Sequence, residues 1–404
     1  MEDVTVTVIG IDGAELPAGA AEVLGSARLV VGSRRHLDAH APQQARSLDL
    51  AQWSQALGAL TSLAGEETGV VLVDGDPGFF GVLRELRERG VRCAVTPAAP
   101  NVARLMARLG RPWDSVPVAA ASEDDLPRVL NLCRARPAVL VLSGPGAGPA
   151  RLASGLTGWR RTLVVGEDLG GEGEKITTAT PEEAAQRSWR PDAVVLCAAE
   201  PKEVGARGWL AGGEVLPPAN GWALSEDEFS HRDGEVTPAE VRAVALADLA
   251  ARPGALIWDV GAGSGSVAVE CARLGAATIA VESDETQVVR LITNAAGHGV
   301  DVRVVERAAP DSLRELPKPD GVFVGGGGPD VVAACAHAGA SRIVVELTEL
   351  ERVGPTREAL RTAGYQVRGV QLAASRLVEL ADGGSKLEPT APVVLVSGHR
   401  KADS

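Results

Sequence analysis

The stretch Leu256-Ile257-Trp258-Asp259-Val260-Gly261-Ala262-Gly263-Ser264-Gly265-Ser266 decides how this chain is read. Its apolar opening, Leu256 to Trp258, reads as a buried strand with Asp259 at its end. Glycines at alternate positions then allow a tight turn, where a ligand can approach with no Cβ in the way. Val267-Ala268-Val269-Glu270-Cys271-Ala272 begins a helix. The first N–H groups of a helix lack intrahelical partners and are free to meet a polar ligand. Strand, glycine turn and helix in this order describe a site for a nucleotide-like ligand.

Outward from that stretch, the strand Thr278-Ile279-Ala280-Val281 ends at Glu282, at the distance expected of a carboxylate that holds a ribose diol. The glycine spacing departs from the dinucleotide fingerprint: the third glycine, Gly265, comes one place early, and Ser266 stands where that fingerprint has Gly or Ala. This disfavours a nicotinamide dinucleotide. The D-x-G-x-G-x-G run with an acid after the second strand resembles the class I S-adenosylmethionine-dependent methyltransferases. A third strand, Val302 to Val305, leads into Glu306-Arg307-Ala308-Ala309-Pro310, where the resemblance places an adenine. Gly321-Val322-Phe323-Val324 runs into four glycines, Gly325 to Gly328, which suit backbone passing close to a ligand at the carboxyl edge of a sheet. Upstream, Thr237 precedes a helix read over Pro238 to Ala250. An N-cap with proline at the first helical position and a ligand contact account for Thr237 equally well.

The chain has 404 residues, 45% hydrophobic and 23% charged, which predicts two or three ordinary globular domains. Aromatic residues make up only 3%, so the cores are built from Val, Leu and Ala. No apolar run is long enough to span a membrane, and the acidic start Met1-Glu2-Asp3-Val4 lacks a signal peptide's pattern. The five cysteines are widely spaced with no C-x-x-C, so reduced thiols in a cytoplasmic protein are expected. The six histidines show no metal-ligand spacing, and no metal is expected. A net charge of −13 argues against a nucleic-acid partner and requires a local basic patch for any polyanionic substrate.

The first half alternates strands and helices. Strands are read at Val4–Ile9, Leu29–Ser33, Val70–Val73, Arg92–Val95, Ala138–Leu142 and Thr162–Val165, which predicts parallel α/β layers. The sharp signal is Asp74-Gly75-Asp76-Pro77-Gly78-Phe79-Phe80-Gly81. Alone, it suits an ordinary Asp-Pro turn with two core phenylalanines. Together with Gly10-Ile11-Asp12-Gly13 it reads as a carboxylate at the mouth of a cleft. Glycine and proline crowd residues 205 to 221, which places a boundary there: a first domain over 1–200, a linker over 201–224 and a second domain over 225–404.

Residues 1 to about 200 resemble the tetrapyrrole (corrin/porphyrin) methylase family. The matching parts are Val8 to Gly13, Val30 to Ser33, Gly75-Asp76-Pro77, Phe80-Gly81, Thr96-Pro97 and Gly166 to Gly170 with Glu174-Lys175-Ile176. Residues from about 225 resemble the decarboxylating precorrin methyltransferases, through Asp227-Glu228-Phe229, Glu235-Val236-Thr237, Glu240-Val241-Arg242, Trp258 to Ser266, Ala309-Pro310 and Phe323 to Gly327. The resemblance implies a tetrapyrrole-methylase-like α/β domain followed by a Rossmann-like class I methyltransferase domain. It implies methylation of a precorrin at C5 and C15 with decarboxylation of an acetate side chain in cobalamin biosynthesis, one S-adenosylmethionine per domain, and a homo-oligomer. It places the cofactor against Gly10, Gly75, Asp76 and Phe80 in the first domain. In the second it places it against Thr237, Gly261, Ala262, Gly263, Ser264, Gly265, Glu282 and Ala309.

A sulfonium methyl group meeting an enamine-like carbon needs mainly alignment, and no nucleophile triad is found in the sequence. His231 is the candidate acid for decarboxylation, with Arg232 beside it as the second candidate catalytic residue. Arg34, Arg35, Arg232 and Arg242 are candidates to hold substrate carboxylates. Two departures from the family pattern stand out. Ala119-Ala120-Ala121-Ser122-Glu123 replaces a Ser-His-Gly-Arg-like segment, and Pro238 stands where lysine is common. The first departure keeps open a monofunctional C15 methyltransferase/decarboxylase with a silent first domain. A non-catalytic S-adenosylmethionine-binding regulator is the reading from another class.

Overall fold

The structure, a computed structural model, describes residues 6–13, 15–63, 67–200, 211–212, 218, 220–232 and 234–400. Most of the glycine- and proline-rich stretch read as a boundary lies outside the described residues.

The first sheet holds β1 (Val6–Ile11), β2 (Leu29–Gly32), β3 (Arg46–Asp49), β4 (Gly69–Asp74) and β5 (Cys93–Thr96) in the order β3-β2-β4-β1-β5. Every pairing in it is parallel. The near-continuous apolar runs Val6–Ile11 and Val70–Val73 suit strands covered on both faces. The second sheet holds β6 (Val118–Ala120), β7 (Ala138–Leu142), β8 (Thr162–Glu167), β9 (Lys175–Ala179) and β10 (Val194–Ala198) in the order β6-β7-β10-β8-β9. The expectation of parallel layers throughout fails here. Only β6–β7 is parallel, while β10 lies antiparallel between β7 and β8, and β9 turns back on β8. An apolar run such as Val194–Ala198 is buried in either arrangement, so its hydrophobicity does not carry strand direction.

The third sheet holds β11 (Leu256–Val260), β12 (Ala277–Glu282), β13 (Arg303–Glu306), β14 (Gly321–Val324), β15 (Arg342–Leu347), β16 (Gln366–Leu372) and, after the hairpin β17 (Ser375–Glu379) and β18 (Ser385–Pro389), β19 (Val393–His399). Its order is β13-β12-β11-β14-β15-β19-β16, with β19 antiparallel to its neighbours. Trp258, Val260, Ile279 and Val322 on one face pack with Val332, Cys335 and Leu360. Ile257, Phe323 and Val344 on the other pack with Val241, Ala245 and Leu249 of the helix Ala239–Leu249. Burying a Val, Leu or Ile side chain contributes roughly 1.5–3 kcal/mol relative to exposure, so this two-sided core fixes the strands that carry the glycine loops. Strand order reverses between β11 and β14, and such a reversal opens a crevice at the carboxyl edge.

The two halves meet at the opposite, amino edge of the third sheet. Trp159 from the first half is buried in the core of that sheet, with the Arg134 and Arg303 guanidinium groups 5.3 and 5.6 Å from its ring. Arg161 pairs with Asp301 at 2.7 Å, and the Asn131 side chain donates to the Gly254 carbonyl at 3.1 Å. Gly254 and Asp301 lie just before β11 and β13. The docking surface therefore leaves the carboxyl edge, with its glycine loops, uncovered by the first half.

Candidate active sites

In the second half, the turn after β11 begins with Gly261, whose φ is +71°. A Cβ there would lie 2.7 Å from the Gly326 nitrogen, so Gly261 is glycine because two loop backbones touch. Gly263 differs: its φ is +55°, and a Cβ would meet nothing within 4 Å. Its N–H donates to Glu282 Oε2 at 2.8 Å. Ser264 and Gly265 are buried under the turn, with the Ser264 carbonyl held by Asn294 at 2.8 Å. The run thus divides: Ser264 and Gly265 are buried, while Gly261, against the Gly326 backbone, and the half-buried Ala262 and Gly263 keep surface open. Glu282 shapes that opening. Its Oε1 accepts from the Ser283 and Asp284 N–H groups, at 2.7 and 2.9 Å. With Gly263 on the other oxygen, about one of a carboxylate's four lone-pair sites remains for a ligand hydroxyl. Ala309 is half-buried against the core, at the turn after β13.

Thr237 is not an N-cap. The helix starts at Ala239, and the Ala239 N–H donates to Glu226 Oε1 at 2.8 Å. The cap comes from a distant carboxylate because Pro238 is held extended (ψ 145°) and no local side chain reaches the helix start. The Thr237 hydroxyl instead donates to Glu346 Oε2 at 3.1 Å, near the end of β15. Glu226 also pairs with Arg376 at 2.6 Å. Burial opposes its ionised form, but Arg376 and the Ala239 N–H outweigh burial and hold its carboxyl at about 2.

Arg242 is fully buried and cannot reach a substrate carboxylate. It pairs with Glu270 at 3.3 Å and donates to the Thr237 and Leu224 carbonyls. Glu270 also accepts from the Leu224 N–H at 2.6 Å and pairs with Arg273 at 3.1 Å. This network ties the segment before the helix to the core. Buried charge demands such pairing. Arg232 is half-exposed and pairs with Glu235 at 2.8 Å and Asp284 at 3.4 Å. His231 Nδ1 accepts from the Gly234 N–H at 3.2 Å, closing its own loop.

Beneath the glycine turn, Asp259 is 1% exposed. One oxygen accepts from the Ala268 N–H at 2.8 Å, and the other has no partner among the described residues. Burial, with Glu282 and Glu346 nearby, pushes its carboxyl up to about 7. Burial also raises the Glu346 carboxyl. Glu346 was not among the residues expected from sequence. Its signal is a lone acid in the apolar run Ile343-Val344-Val345-Glu346-Leu347.

In the first half, Gly10 and Gly75 repeat the pattern of touching backbones. A Cβ on Gly10 would lie 2.1 Å from the Gly75 carbonyl oxygen, and one on Gly75 would lie 2.8 Å from Pro100 Cα. Asp76 Oδ1 accepts from the Gly78 N–H at 2.8 Å. Asp76, Phe79, Phe80, Asn101 and Leu142 line a cavity of about 440 Å³ between the ends of the first two sheets. Phe80 is not a core residue: it is 59% exposed with φ +53°. A bulky residue held in that region stores strain that the surrounding turn must impose.

Arg35 is occupied. It donates to Asp74 at 2.6 Å and to Asp168 at 3.1 Å, joining the ends of β4 and β8 across the cleft. Burial works against ionised Asp74, but His36, Arg35 and Arg104 keep its carboxyl below the usual range. Arg104 pairs with Asp12. Arg34 is exposed, 3.9 Å from Asp49. The atypical Ala119–Glu123 segment begins within β6 and runs past its end, and a Cβ on Gly144 would lie 2.2 Å from the Ala121 carbonyl oxygen.

A family model described as "Tetrapyrrole (Corrin/Porphyrin) Methylases" matches residues 5–185, and one described as "Precorrin methyltransferase domain" matches residues 227–397. A precorrin-6Y C(5,15)-methyltransferase [decarboxylating] from Sinorhizobium sp is 34% identical over 336 residues, covering 80% of this chain and 78% of the relative. The chain belongs to the precorrin-6Y C(5,15)-methyltransferase (decarboxylating) family. It is an enzyme with two α/β methyltransferase folds. A probable cobalt-precorrin-6B C(15)-methyltransferase (decarboxylating) from Pyrobaculum calidifontis is 37% identical over 163 residues, 38% of this chain and 84% of the relative. The crystal structure of a precorrin-6y C5,15-methyltransferase from Geobacter metallireducens aligns with a TM-score of 0.42 at 28% identity, over 45% of this chain and 97% of that one. No helix among the described residues is long and apolar enough to cross a membrane.

Proposed function

We propose that this chain transfers two methyl groups from S-adenosylmethionine to a precorrin, one at C5 in the first half and one at C15 in the second, where an acetate side chain is also decarboxylated. The division of labour follows residues 1–200 and 225–404, joined by 201–224, with one cofactor site in each. The observation that carries the reading is the presence of two crevices with glycine loops at strand carboxyl ends, on two different sheets of one chain of this family. The relative named for C(15) chemistry alone matches only 38% of this chain, which supports one activity per half.

In the second half, Ala262, Gly263, Glu282, Thr237 and Ala309 would hold the cofactor. The open space at Gly263 and the spare lone pair on Glu282 fit a ribose. In the first half, Asp76 and Phe80 would line its site, with Gly10 and Gly75 allowing the loops to close. The cofactor supplies an electrophilic methyl group. The protein's part is to align the macrocycle carbon with it and exclude water, which can lower such a barrier by about 7–11 kcal/mol. Of the catalytic residues expected from sequence, His231 is engaged within its own loop and Arg232 is paired with Glu235 and Asp284. Cytoplasmic location fits the five free cysteines. Self-assembly fits Leu377 and Leu387, which face each other across β17 and β18 and are both exposed.

The test is mass spectrometry of the full chain with reduced precorrin and S-adenosylmethionine, alongside calorimetric cofactor binding. Two added methyl groups with loss of carbon dioxide, and two cofactors bound per chain, are expected. One methyl group with loss of carbon dioxide would mean a silent first half. Cofactor binding with no mass change would favour the regulator.

A further inference from the structure

We infer that Glu346 is the catalytic acid of the second half, delivering the proton that replaces the lost carboxyl group. This rests on the decarboxylating reading of that half. Glu346 stands one residue from the end of β15, on the side of the strand reversal away from Glu282. It lines a small cavity of about 90 Å³ with Gly325, Gly326, Thr348 and Arg352, so it opens into the crevice where the glycine loops meet. Among the described residues, the hydrogen bond to its carboxyl group comes from the Thr237 hydroxyl. That single neutral donor fixes the group and leaves its second oxygen for a substrate.

Burial rather than nearby charge favours the protonated form of Glu346, since the Thr237 hydrogen bond and the Arg242 charge both work against it. Asp259 on β11 is acidic and itself protonated below about 7. Arg242 is committed to Glu270 and two backbone carbonyls, and Arg352 donates to the Gly327 carbonyl. No ion pair to Glu346 is formed among the described residues. Burial raises its carboxyl above the usual glutamate range, which favours the protonated form a proton donor needs. The alternative acid, His231, has Nδ1 tied to the Gly234 N–H.

The bond between the acetate methylene and its carboxylate breaks, and carbon dioxide leaves. The electron pair passes into the conjugated macrocycle and returns to the methylene carbon. The Glu346 proton forms the new C–H bond, and water then reprotonates the carboxylate. A neutral acid also avoids repelling a substrate rich in carboxylates.

The experiment compares the full chain with Glu346→Gln and Glu346→Asp, following methyl transfer and carbon dioxide loss separately by mass. Glutamine keeps an acceptor for Thr237 but has no acidic proton. The expected result is decarboxylation slowed about 100-fold in Glu346→Gln, methyl transfer changed by less than roughly threefold, and partial recovery in Glu346→Asp. Methylated, undecarboxylated corrin should accumulate. Decarboxylation at the wild-type rate in Glu346→Gln would overturn the assignment, as would equal loss of both steps with cofactor binding intact. If Glu346→Gln does not bind cofactor, Glu346→Asp decides: decarboxylation slowed while methyl transfer is kept supports the acid, and unchanged decarboxylation or equal loss of both steps overturns it. A wild-type chain that never releases carbon dioxide would instead sink the reading of the half itself.

Discussion

At the mouth of the first-half cleft, Asp12, Asp74 and Asp168 each meet an arginine, whereas in the second half Asp259 is buried and Glu346 half-buried, with no cation bonded to either among the described residues. The difference has a physical consequence. A carboxylate beside a guanidinium stays ionised and acts as a rigid tie, here joining β4 to β8 through Arg35. A buried carboxyl without such a partner is pushed up, toward its protonated form. The first half uses charge to hold the geometry of methyl transfer. The second half, where the decarboxylation is proposed, holds two acids whose carboxyls are pushed up. Both halves solve backbone crowding alike, with Gly10 against Gly75 and Gly261 against Gly326.

The largest effect that could break this comparison belongs to Asp259. Its folded carboxyl titrates at about 7, against an ordinary value of 3.8. The folded state therefore holds a proton that the unfolded chain releases, so this stability is present below the ordinary value and is lost as pH rises through 7. Asp259→Asn should remove roughly 2–3 kcal/mol of the wild-type loss between pH 5 and pH 8 in urea titrations. Parallel wild-type and variant curves would show that Asp259 is ionised and the contrast false.

Glu226 sharpens the comparison within the second half. It is paired to Arg376 and holds its carboxyl at about 2, so partnership rather than location sets its charge. Its stabilisation is present above the ordinary glutamate range and is lost as pH falls through 2. Glu226→Ala should cost about 1–2 kcal/mol at pH 7, as a lost cap and a partly screened pair, and the gap should narrow toward pH 3 in thermal melts. The smallest effect is expected at Arg35. It is half-exposed, so Arg35→Met should cost below about 1 kcal/mol while raising the substrate KM of the first methylation a few-fold and sparing the second. Equal damage to both methylations would contradict a tie local to the first cleft.

Local patterns in the sequence carried much of this fold. The β11–turn–helix unit and Glu282 read directly, because strand, turn and cap chemistry are set by near neighbours. Long-range pairing did not read. Thr237 and Glu346 lie 109 positions apart, so an N-cap stood level with a ligand contact for the threonine and its bond to Glu346 did not show. Arg242 passed for a surface cation, although it sits in line with Ala245, Leu246 and Leu249, an apolar stripe that marks a buried face. The antiparallel insertion of β10 left no trace, since a buried strand is apolar whichever way it runs. Phe80 passed for core in one reading because its left-handed backbone depends on the packed turn around it, not on its residue type.

The central claim is that each half performs one methylation and the second alone releases carbon dioxide. It is tested most directly with full-length Gly10→Ala and Gly261→Ala, assayed by product mass alone and as a mixture. The new Cβ would lie 2.1 Å from the Gly75 oxygen in one variant and 2.7 Å from the Gly326 nitrogen in the other, so each should disable its own crevice. The account predicts that Gly10→Ala gives a singly methylated, decarboxylated product, that Gly261→Ala releases no carbon dioxide, and that the mixture restores both methyl groups. Carbon dioxide release by Gly261→Ala, or two methyl groups added by Gly10→Ala, would contradict it.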